Sequence, residues 1–599
     1  MKTGKRITQL AVLLAVCLLL LLGRLVQLQL LSTEDFSRRG INLIQKSIEQ
    51  RTRSLALNTG RGTITDRTGV PLNVAEKTEL VLFPFIKDME WPVGKVAEIA
   101  GVSEEELHEA VKEAAEPVVF KNDDSFQLSK TEAEKINGLN IPGVFAVSRQ
   151  TETRNIPASH LIGITGENPA LLRQRYPEKL EAGTVRESTK LGITGLEASF
   201  DEFLVSEGPE ELLYHVDRQG GPLFGLEVKY AAPANPYYPI KIKTTIDRAV
   251  QEKAEEILDG NRLENGGLVL LDIKKSEVLA LASRPHYGSE SPLEGKGGLN
   301  QMLQPLVPGS IFKIVTAAAS IEKDIAGPNR TFDCNQNLYG DGAAARPKGH
   351  LSFPESFAQS CNRTFAQLAQ ELLKDNPDTL DDYAEKLGIT ARSGWTGDLY
   401  HLGEFRQLKE EKGGQIWEEQ GEQYEKKSHK AVAQTAIGQK NVRVSPLAAA
   451  NMMATIARGG QSKQVKAVSE ILYKNDSVMY AFDDRVLVDE TISPYTANVL
   501  KEMLLEVTES EKGTGRFLQH AEYKVAGKSG TAEVGGGQNL ENKWFIGYFP
   551  AEKPKYALAV VSIAGEAGTH PANSVFLDMV NALHDHDAAG EPAQAEAGA

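Results

Sequence analysis

The sequence predicts an α+β protein with a single N-terminal transmembrane helix, and three patterns support that prediction. An uncharged, mostly apolar run follows a basic amino terminus. Two strand-like segments, Gly267–Ile273 and Glu277–Ser283, predict a hairpin around a Lys-Lys-Ser turn. A late meander adds three more strands, Tyr523–Val534, Asn542–Tyr548 and Tyr556–Ser562. An apolar helix after Lys313 would pack on the resulting five-stranded antiparallel sheet, which is an α+β arrangement.

The first element is the membrane anchor. Three basic residues precede the run Ile7–Gly23, whose length is close to the minimum for crossing a bilayer. Residues 25–31 extend the run if the Arg24 side chain reaches toward the interface. Positive charge ahead of the run predicts a cytoplasmic amino terminus and an external remainder. A cleaved signal peptide is the alternative, but no small-x-small cleavage site follows the run, so we expect an uncleaved anchor over residues 1–31.

Composition divides the rest of the chain. Residues 32–235 mix a polar stalk, short strands and charged helices without a catalytic pattern, which favours a pedestal or partner-docking domain. The segment Ala231–Pro236 predicts a linker to a catalytic domain over residues 236–583. Residues 404–430 are dense in charge and predict a solvated helix or loop, which could border a substrate groove. The tail 584–599 is rich in Ala, Gly, Glu and Pro, and we expect it to be disordered.

Charge, histidine and cysteine content argue against several classes of function. A net charge of −15 over 599 residues argues against a nucleic-acid partner. The eleven histidines show no H-E-x-x-H or other ligand spacing, so we expect no metal and no cofactor. One of the three cysteines lies in the anchor, and Cys334 and Cys361 can pair only if the fold brings them together.

The strongest chemical signal is the box Ser310-Ile311-Phe312-Lys313. A Pro-Gly turn precedes it and the apolar helix follows, so we expect Ser310 in the first helical turn, where free N–H groups favour developing negative charge. Lys313, three residues later, lies on the same face. A lysine acts as a base only when it is neutral, so burial must lower its pKa. The alternative is a surface serine and lysine on an ordinary helix.

Two more boxes follow in order, Ser360-Cys361-Asn362 and Lys528-Ser529-Gly530-Thr531. The last lies in a predicted strand, where a glycine lets another chain approach closely. Lys528 would attract a substrate carboxylate, and a strand N–H near Thr531 would polarise a carbonyl. Together the three boxes predict a serine acyl-transfer site that uses neither histidine nor metal. The alternative for the last box is a simple bend in a sheet.

The third box also overlaps the end of a phosphate-binding loop, G-x-x-x-x-G-K-[ST], at Gly527-Lys528-Ser529. That motif requires its first glycine at position 522, which holds Glu522. The sequence therefore argues against a phosphate-binding loop here.

With four further elements, the boxes make the chain resemble a class B penicillin-binding protein over roughly residues 50–580. S-x-x-K followed by S-D-N-like and K-T-G-like boxes is the signature of that superfamily. The four elements resemble, in chain order, the R-G-x-I-x-D-R-x-G stretch, the G-x-x-G-L-E element, the entry to the catalytic domain and the A-I-G-Q…T-P-L block. They are Thr59–Gly69, Gly192–Glu197, Thr244–Asp247, and Ala436–Gln439 with Ser445–Leu447.

The resemblance implies a role for each box residue. Ser310 would be the acylated nucleophile and Lys313 the group that takes its proton. Ser360 would relay a proton to the leaving amine, and Asn362 would orient Lys313 and a substrate amide. The oxyanion hole would consist of the backbone N–H groups of Ser310 and Thr531. The substrate-binding residues would be Lys528, Ser529, Gly530 and Thr531.

The same resemblance implies a peptidoglycan D,D-transpeptidase of the bacterial cell membrane, with a pedestal or dimerisation domain and an extracytoplasmic penicillin-binding domain that β-lactams acylate. Its partners would be peptidoglycan stem peptides, a glycan polymerase and other wall-synthesis proteins. The N-terminal half has no second enzymatic motif, which argues against glycan polymerisation by this chain itself. Two alternatives stay open: a D,D-carboxypeptidase, and a scaffold that recruits proteins through residues 54–235. A class A β-lactamase is disfavoured because no E-x-x-x-N spacing lies between Ser360 and Lys528.

Overall fold

A computed structural model shows an α+β protein, as the sequence predicts. It describes residues 2–31, 33, 42–121, 126–153, 156–206, 208–217, 221–223, 227–233, 235–287, 293, 295–327, 329–534 and 539–590. The helices are α1 Lys2–Val26, α2 Leu43–Arg51, α3 Val93–Ala100, α4 Glu104–Lys112, α5 Lys130–Gly138, α6 Ser159–Ile162, α7 Pro169–Arg175, α8 Pro177–Glu181, α9 Gly195–Ser199, α10 Asp201–Leu204, α11 Arg248–Gly260, α12 Lys313–Glu322, α13 Phe353–Ala358, α14 Asn362–Asp375, α15 Thr379–Lys386, α16 Glu422–Glu425, α17 His429–Thr435, α18 Pro446–Ala457, α19 Pro494–Glu509 and α20 Pro571–Gly590.

The strands are β1 Thr52–Ala56, β2 Thr63–Thr65, β3 Val74–Leu82, β4 Val118–Val119, β5 Val144–Glu152, β6 Thr165–Glu167, β7 Lys190–Gly192, β8 Glu211–His215, β9 Lys229–Ala231, β10 Lys241–Thr244, β11 Gly266–Asp272, β12 Glu277–Arg284, β13 Thr331–Asp333, β14 His350–Ser352, β15 Thr396–Leu399, β16 Leu402–Arg406, β17 Val468–Leu472, β18 Val478–Ala481, β19 Ala526–Val534, β20 Leu540–Phe549 and β21 Tyr556–Glu566. Residues 535–538, between β19 and β20, lie outside the described residues.

The amino-terminal helix is long enough to cross a membrane. Its apolar part runs from Gly4 to Leu31, ending in a short π-helical stretch, Gln27–Leu31. Its 28 residues span about 40 Å, more than the roughly 30 Å of a bilayer's hydrocarbon core. No residue of its most apolar window is buried by the rest of the protein, as expected for a helix that faces lipid.

The chain divides into two compact units, and the amino-terminal helix belongs to the first. The N-terminal unit contains residues 1–61, 75–152 and 207–235, and its core lies among two three-stranded sheets, β1-β8-β9 and β4-β3-β5, and helices α3 to α5. Capping boxes start two of these helices: Ser103 with Glu106, and Ser129 with Glu132.

The C-terminal unit contains residues 62–74, 153–206 and 236–599, so the two units interleave along the chain. The sequence predicts one domain boundary, between residues 235 and 236. In the structure, β2 lies before that boundary but pairs in parallel with β10 inside the C-terminal unit. The Gly62 N–H also donates to the Leu204 carbonyl at 2.8 Å. These long-range backbone hydrogen bonds, which no local pattern encodes, assign the two early segments to the later unit.

The five-stranded sheet of the C-terminal unit has the order β12-β11-β21-β20-β19, entirely antiparallel. The predicted hairpin and meander are confirmed to within a few residues at each strand end. Helices α12, α18 and α19 share one apolar core with one face of this sheet, and α11 and α20 share another core with the opposite face. Both faces of the sheet are therefore covered, and β19 remains at an edge.

Most of the charged segment 404–430 is loop or helix, in agreement with the prediction, although residues 404–406 belong to β16, which pairs with β15; α16 lies in the segment and α17 begins at His429. One local prediction differs from the structure. Helix α20 continues to Gly590, beyond the predicted start of the tail at His584. The Asp587 carboxylate stabilises that end because it accepts hydrogen bonds from the Tyr523 and Tyr556 hydroxyls, at 2.9 and 2.8 Å, and from Lys555. Residues 591–599 lie outside the described residues.

The fold brings Cys334 and Cys361 together in a disulfide, with their Cα atoms 6.0 Å apart. It joins the end of β13 to the residue that precedes α14. The condition that the sequence set for this pair, that the fold bring the two cysteines together, is therefore met.

We expect the double substitution Cys334→Ser and Cys361→Ser to lower the free energy of unfolding by up to about 3.5 kcal/mol, since the bond closes a loop with a sequence separation of 27. Thermal unfolding of the full-length protein checks this. Wild type should lose stability when dithiothreitol is added, and the double variant should not respond. A wild-type protein unaffected by the reductant would contradict the prediction.

Candidate active site

The first and third boxes meet at a pair of glycines. Ser310 lies in a 3₁₀ turn, Gly309–Phe312, that leads into α12, so it precedes the α-helix instead of lying in its first turn. Gly309 has a φ of +58°, and a Cβ there would lie 2.1 Å from the Thr531 carbonyl oxygen. A Cβ on Gly530 would lie 2.6 Å from the Pro308 oxygen. The absence of side chains at both positions lets the Ser310 turn lie directly against β19.

The Lys313 side chain connects the first box to the second. It is fully buried, and its Nζ lies 2.7 Å from Asn362 Oδ1, 2.9 Å from Ser360 Oγ and 3.1 Å from the Ser360 carbonyl oxygen. Burial, and then the positive charges of Lys528 and Lys348, lower the pKa of Lys313 well below its usual value. The structure thus provides the burial that a neutral lysine base requires.

Ser360 has an unusual backbone conformation. It lies between the end of α13 and the start of α14 with a φ of +57°, in the left-handed region that costs a non-glycine residue about 1–2 kcal/mol. Neighbouring backbone hydrogen bonds hold it there: its N–H donates to the Phe357 carbonyl, and the Cys361 N–H donates to the Ser356 carbonyl. As a result, both the hydroxyl and the carbonyl of Ser360 face Lys313 Nζ.

Lys528 lies in β19 and is also fully buried. Its Nζ donates to the Ser529 carbonyl at 3.1 Å and lies 5.8 Å from the centre of the Phe357 ring. Burial, with a smaller contribution from the charge of Lys348, lowers the pKa of Lys528 to about 7. The strand edge is therefore only partly charged near neutral pH. A substrate carboxylate close to this amine would favour its protonation.

The other predicted residues surround this group. Asn362 is exposed apart from its contact with Lys313, Ser529 is half-buried, and Thr531 is exposed on the edge strand. Gln439, from the A-I-G-Q element, donates to the Thr531 carbonyl at 3.4 Å, and the Gly309 N–H donates to the Gly438 carbonyl at 2.9 Å. That element therefore supports both the Ser310 turn and β19.

Thr514 was missed by the sequence reasoning. Its backbone N–H donates to the Ala358 carbonyl at 3.1 Å, and its hydroxyl accepts a 2.8 Å hydrogen bond from the Ser529 hydroxyl. It thus links the end of α13, two residues before Ser360, to the third box. Its only sequence signal was the turn-like Gly513-Thr514-Gly515 context.

A carboxylate cluster lies elsewhere in the C-terminal unit. Asp378, Asp381 and Glu422 approach closely enough to hold a metal ion, but Lys426 Nζ lies 2.7, 3.0 and 2.5 Å from their oxygens. The Lys426 ammonium therefore already neutralises these carboxylates, and the cluster is an ion-pair network.

Comparison with known proteins adds independent findings. The model of the family described as "Penicillin binding protein transpeptidase domain" matches residues 266–581. The model of the family described as "Penicillin-binding Protein dimerisation domain" matches residues 56–236. The chain is 26% identical over 537 residues to "Stage V sporulation protein D" of Bacillus subtilis, covering 85% of this chain and 75% of that protein. It is 23% identical over 595 residues to "Peptidoglycan D,D-transpeptidase MrdA" of Haemophilus influenzae, covering 90% of this chain and 85% of that protein.

A solved structure shares the fold. It comes from the work titled "Structural coordination of polymerization and crosslinking by a peptidoglycan synthase complex", with a TM-score of 0.64 and 24% identity. The match covers 96% of this chain and 97% of that one. At this level of identity the similarity indicates the fold alone.

Proposed function

The chain belongs to the class B penicillin-binding proteins, and on that premise we propose that it is a peptidoglycan D,D-transpeptidase that acts through an acyl-enzyme on Ser310. The observation that carries this proposal is the buried Lys313 amine. It contacts Ser360 and Asn362 and lies one turn from Ser310, beside an exposed strand edge. That is the arrangement a serine needs to be activated without histidine.

In the first acyl transfer, Ser310 Oγ attacks the carbonyl between the two terminal D-alanines of a stem peptide. The neutral Lys313 amine takes the hydroxyl proton, and the backbone N–H groups of Ser310 and Thr531 stabilise the oxyanion. Lys528 binds the terminal carboxylate of the peptide. Ser360 Oγ, 2.9 Å from Lys313 Nζ, passes the proton to the departing D-alanine amine, and a Ser310 ester remains.

In the second transfer, an amine from a neighbouring stem peptide attacks the Ser310 ester. Its proton returns to the Ser310 oxygen through Lys313, and the cross-linked product leaves. A β-lactam carbonyl follows only the first half of this path, because ring opening leaves the nitrogen attached to the acyl group. The penicillin family therefore labels Ser310 covalently.

The location and partners follow from the same proposal. The protein is a single-pass membrane protein, and we place its amino terminus in the cytoplasm because basic residues precede the anchor. The Cys334–Cys361 disulfide agrees with a catalytic domain outside the cytoplasm, where disulfides persist. The partners proposed are a glycan polymerase and other wall-synthesis proteins.

The test is covalent labelling of the full-length protein with a fluorescent penicillin. Wild type should be labelled at one site, and Ser310→Ala should lose the label. The matched control is Ser320→Ala, which removes a buried hydroxyl from α12, the helix that follows the Ser310 turn, where that hydroxyl donates to the Thr316 carbonyl. That variant should be labelled like wild type. Labelling of Ser310→Ala would refute the nucleophile assignment.

Analysis of the reaction products shows whether the acceptor of the acyl group is an amine or water. Incubation with purified stem peptides followed by mass spectrometry should give cross-linked dimers. Monomers shortened by one alanine, with no dimers, would instead show a D,D-carboxypeptidase. If the protein forms neither product and is not labelled by the fluorescent penicillin, the result would favour the scaffold.

A further inference from the structure

A third lysine, Lys348, faces the site and has no role in the mechanism above. It lies in the connection between β13 and β14, where its N–H donates to the Cys334 carbonyl at 3.3 Å. The Gly349 carbonyl accepts from the Cys334 N–H at 2.8 Å, and the Gly349 N–H donates to Asn335 Oδ1 at 2.9 Å. These bonds fix the backbone of Lys348 beside the disulfide.

The half-buried side chain of Lys348 reaches the second box. Its Nζ donates a hydrogen bond to the Gln359 carbonyl, which belongs to the peptide bond between Gln359 and Ser360. The disulfide from Cys334 holds Cys361, the residue that follows Ser360. The segment from Cys334 to Lys348 therefore contacts the chain on both sides of Ser360. The Lys348 amine binds the carbonyl of the preceding residue, and the disulfide binds the following residue.

These two bonds flank a residue, Ser360, whose backbone conformation is unfavourable for a side chain other than glycine. Ser360 has a φ of +57°, and in that geometry its hydroxyl and its carbonyl both contact Lys313 Nζ. Rotation of the Gln359–Ser360 peptide would swing the hydroxyl away from the amine. The Lys348 ammonium opposes that rotation because it holds the carbonyl oxygen of the same peptide.

We propose that Lys348 is a positioning residue of this active site, which holds the Gln359–Ser360 peptide so that the Ser360 hydroxyl stays on Lys313. This inference rests on the proposed acylation of Ser310. Lys348 also acts through its charge on both catalytic-site amines. Among the described residues, the charges that act on Lys313 are those of Lys528 and Lys348. The Lys348 charge also acts on Lys528, and the Arg346 charge acts on Lys348.

All of these neighbouring charges are positive, so each lowers the pKa of the amine it faces. Removal of the Lys348 charge would raise the pKa of Lys313 and reduce its neutral fraction at neutral pH. The rate of Ser310 acylation rises with pH as Lys313 loses its proton. That ascending limb should therefore move to higher pH without Lys348.

The experiment measures the second-order rate constant of acylation by a fluorescent penicillin, from pH 5.5 to 9.5, with the full-length protein in detergent. We expect Lys348→Met to acylate about 10-fold more slowly at pH 7, with the ascending limb shifted up by roughly 0.5–1 pH unit. Lys348→Arg, which keeps the charge and the donor, should restore most of the rate and the original limb. Lys348→Gln, which keeps a donor without charge, should shift the limb but lose less of the plateau rate.

The matched control is Arg346→Gln. This substitution removes an equal positive charge from an exposed side chain that lies two residues before Lys348. Its rate should stay within about twofold of wild type. A Lys348→Met variant with wild-type rate and an unmoved limb would overturn the inference, as would equal losses in the Met and Arg variants at every pH. If wild type itself is not acylated, the proposed function fails instead, so the two failures are distinguishable.

Discussion

Lys313→Met is expected to reduce the acylation of Ser310 by penicillin about 1,000-fold or more, while the protein stays folded. Methionine fills a similar volume but cannot take the Ser310 proton, and general-base catalysis of this kind contributes about 10²–10⁴-fold. The measurement is the second-order acylation rate constant at pH 7. A loss of less than tenfold would show that another group takes the proton.

The stability of this variant provides the control. Burial lowers the pKa of Lys313, so this lysine binds fewer protons in the folded protein than in the unfolded protein. It therefore destabilises the folded protein at pH values below its unfolded pKa, and this contribution to the free energy of unfolding increases as pH rises. Methionine removes that cost but also removes three hydrogen bonds to Ser360 and Asn362. These effects oppose each other, so the melting temperature should stay within a few degrees of wild type. A collapse in melting temperature would mean that the rate loss reflects unfolding.

The wild-type pH profile follows from the same amine. As pH falls through the pKa of Lys313, the base becomes protonated and acylation slows. Because that pKa is lowered well below its usual value, the rate should remain appreciable at neutral pH. A rate that begins to rise only above pH 9 would contradict a neutral Lys313.

Gly309→Ala is expected to reduce acylation at least 100-fold and to lower the melting temperature. The new Cβ would lie 2.1 Å from the Thr531 carbonyl oxygen, far inside van der Waals contact, and that oxygen belongs to a backbone that cannot rotate away. The Ser310 turn and β19 must separate, so the two N–H groups proposed for the oxyanion hole would no longer converge. The measurements are the acylation rate and thermal unfolding.

Gly459→Ala is the matched control for this substitution. Gly459 also has a positive φ, +75°, but nothing lies within 4 Å of the position of its Cβ. It should therefore show only the backbone strain, about 1 kcal/mol, with normal acylation. Equal effects of the two substitutions would show that strain, and not the contact with β19, determines the Gly309 result.

Four strands of the catalytic sheet, β11, β12, β20 and β21, were predictable because they are mostly buried on both faces. Such strands appear in the sequence as continuous apolar runs between turns, as β11 and β12 do. Ser310 was placed slightly wrong, since a 3₁₀ turn and an α-helical turn leave similar patterns. The interleaving of the two units was not predictable, because parallel pairing of β2 with β10 joins residues far apart in the chain.

The order of residue types along the chain determined the chemistry available: a hydroxyl at Ser310, an amine at Lys313 and the two later boxes. Tertiary structure alone decided that Lys313 is buried against Ser360, that Lys528 is buried enough to lose part of its charge, and that Lys348 and the disulfide hold the chain around Ser360. The physical reason is that pKa values and hydrogen bonds depend on neighbours in space. A sequence names those groups but does not state which of them meet.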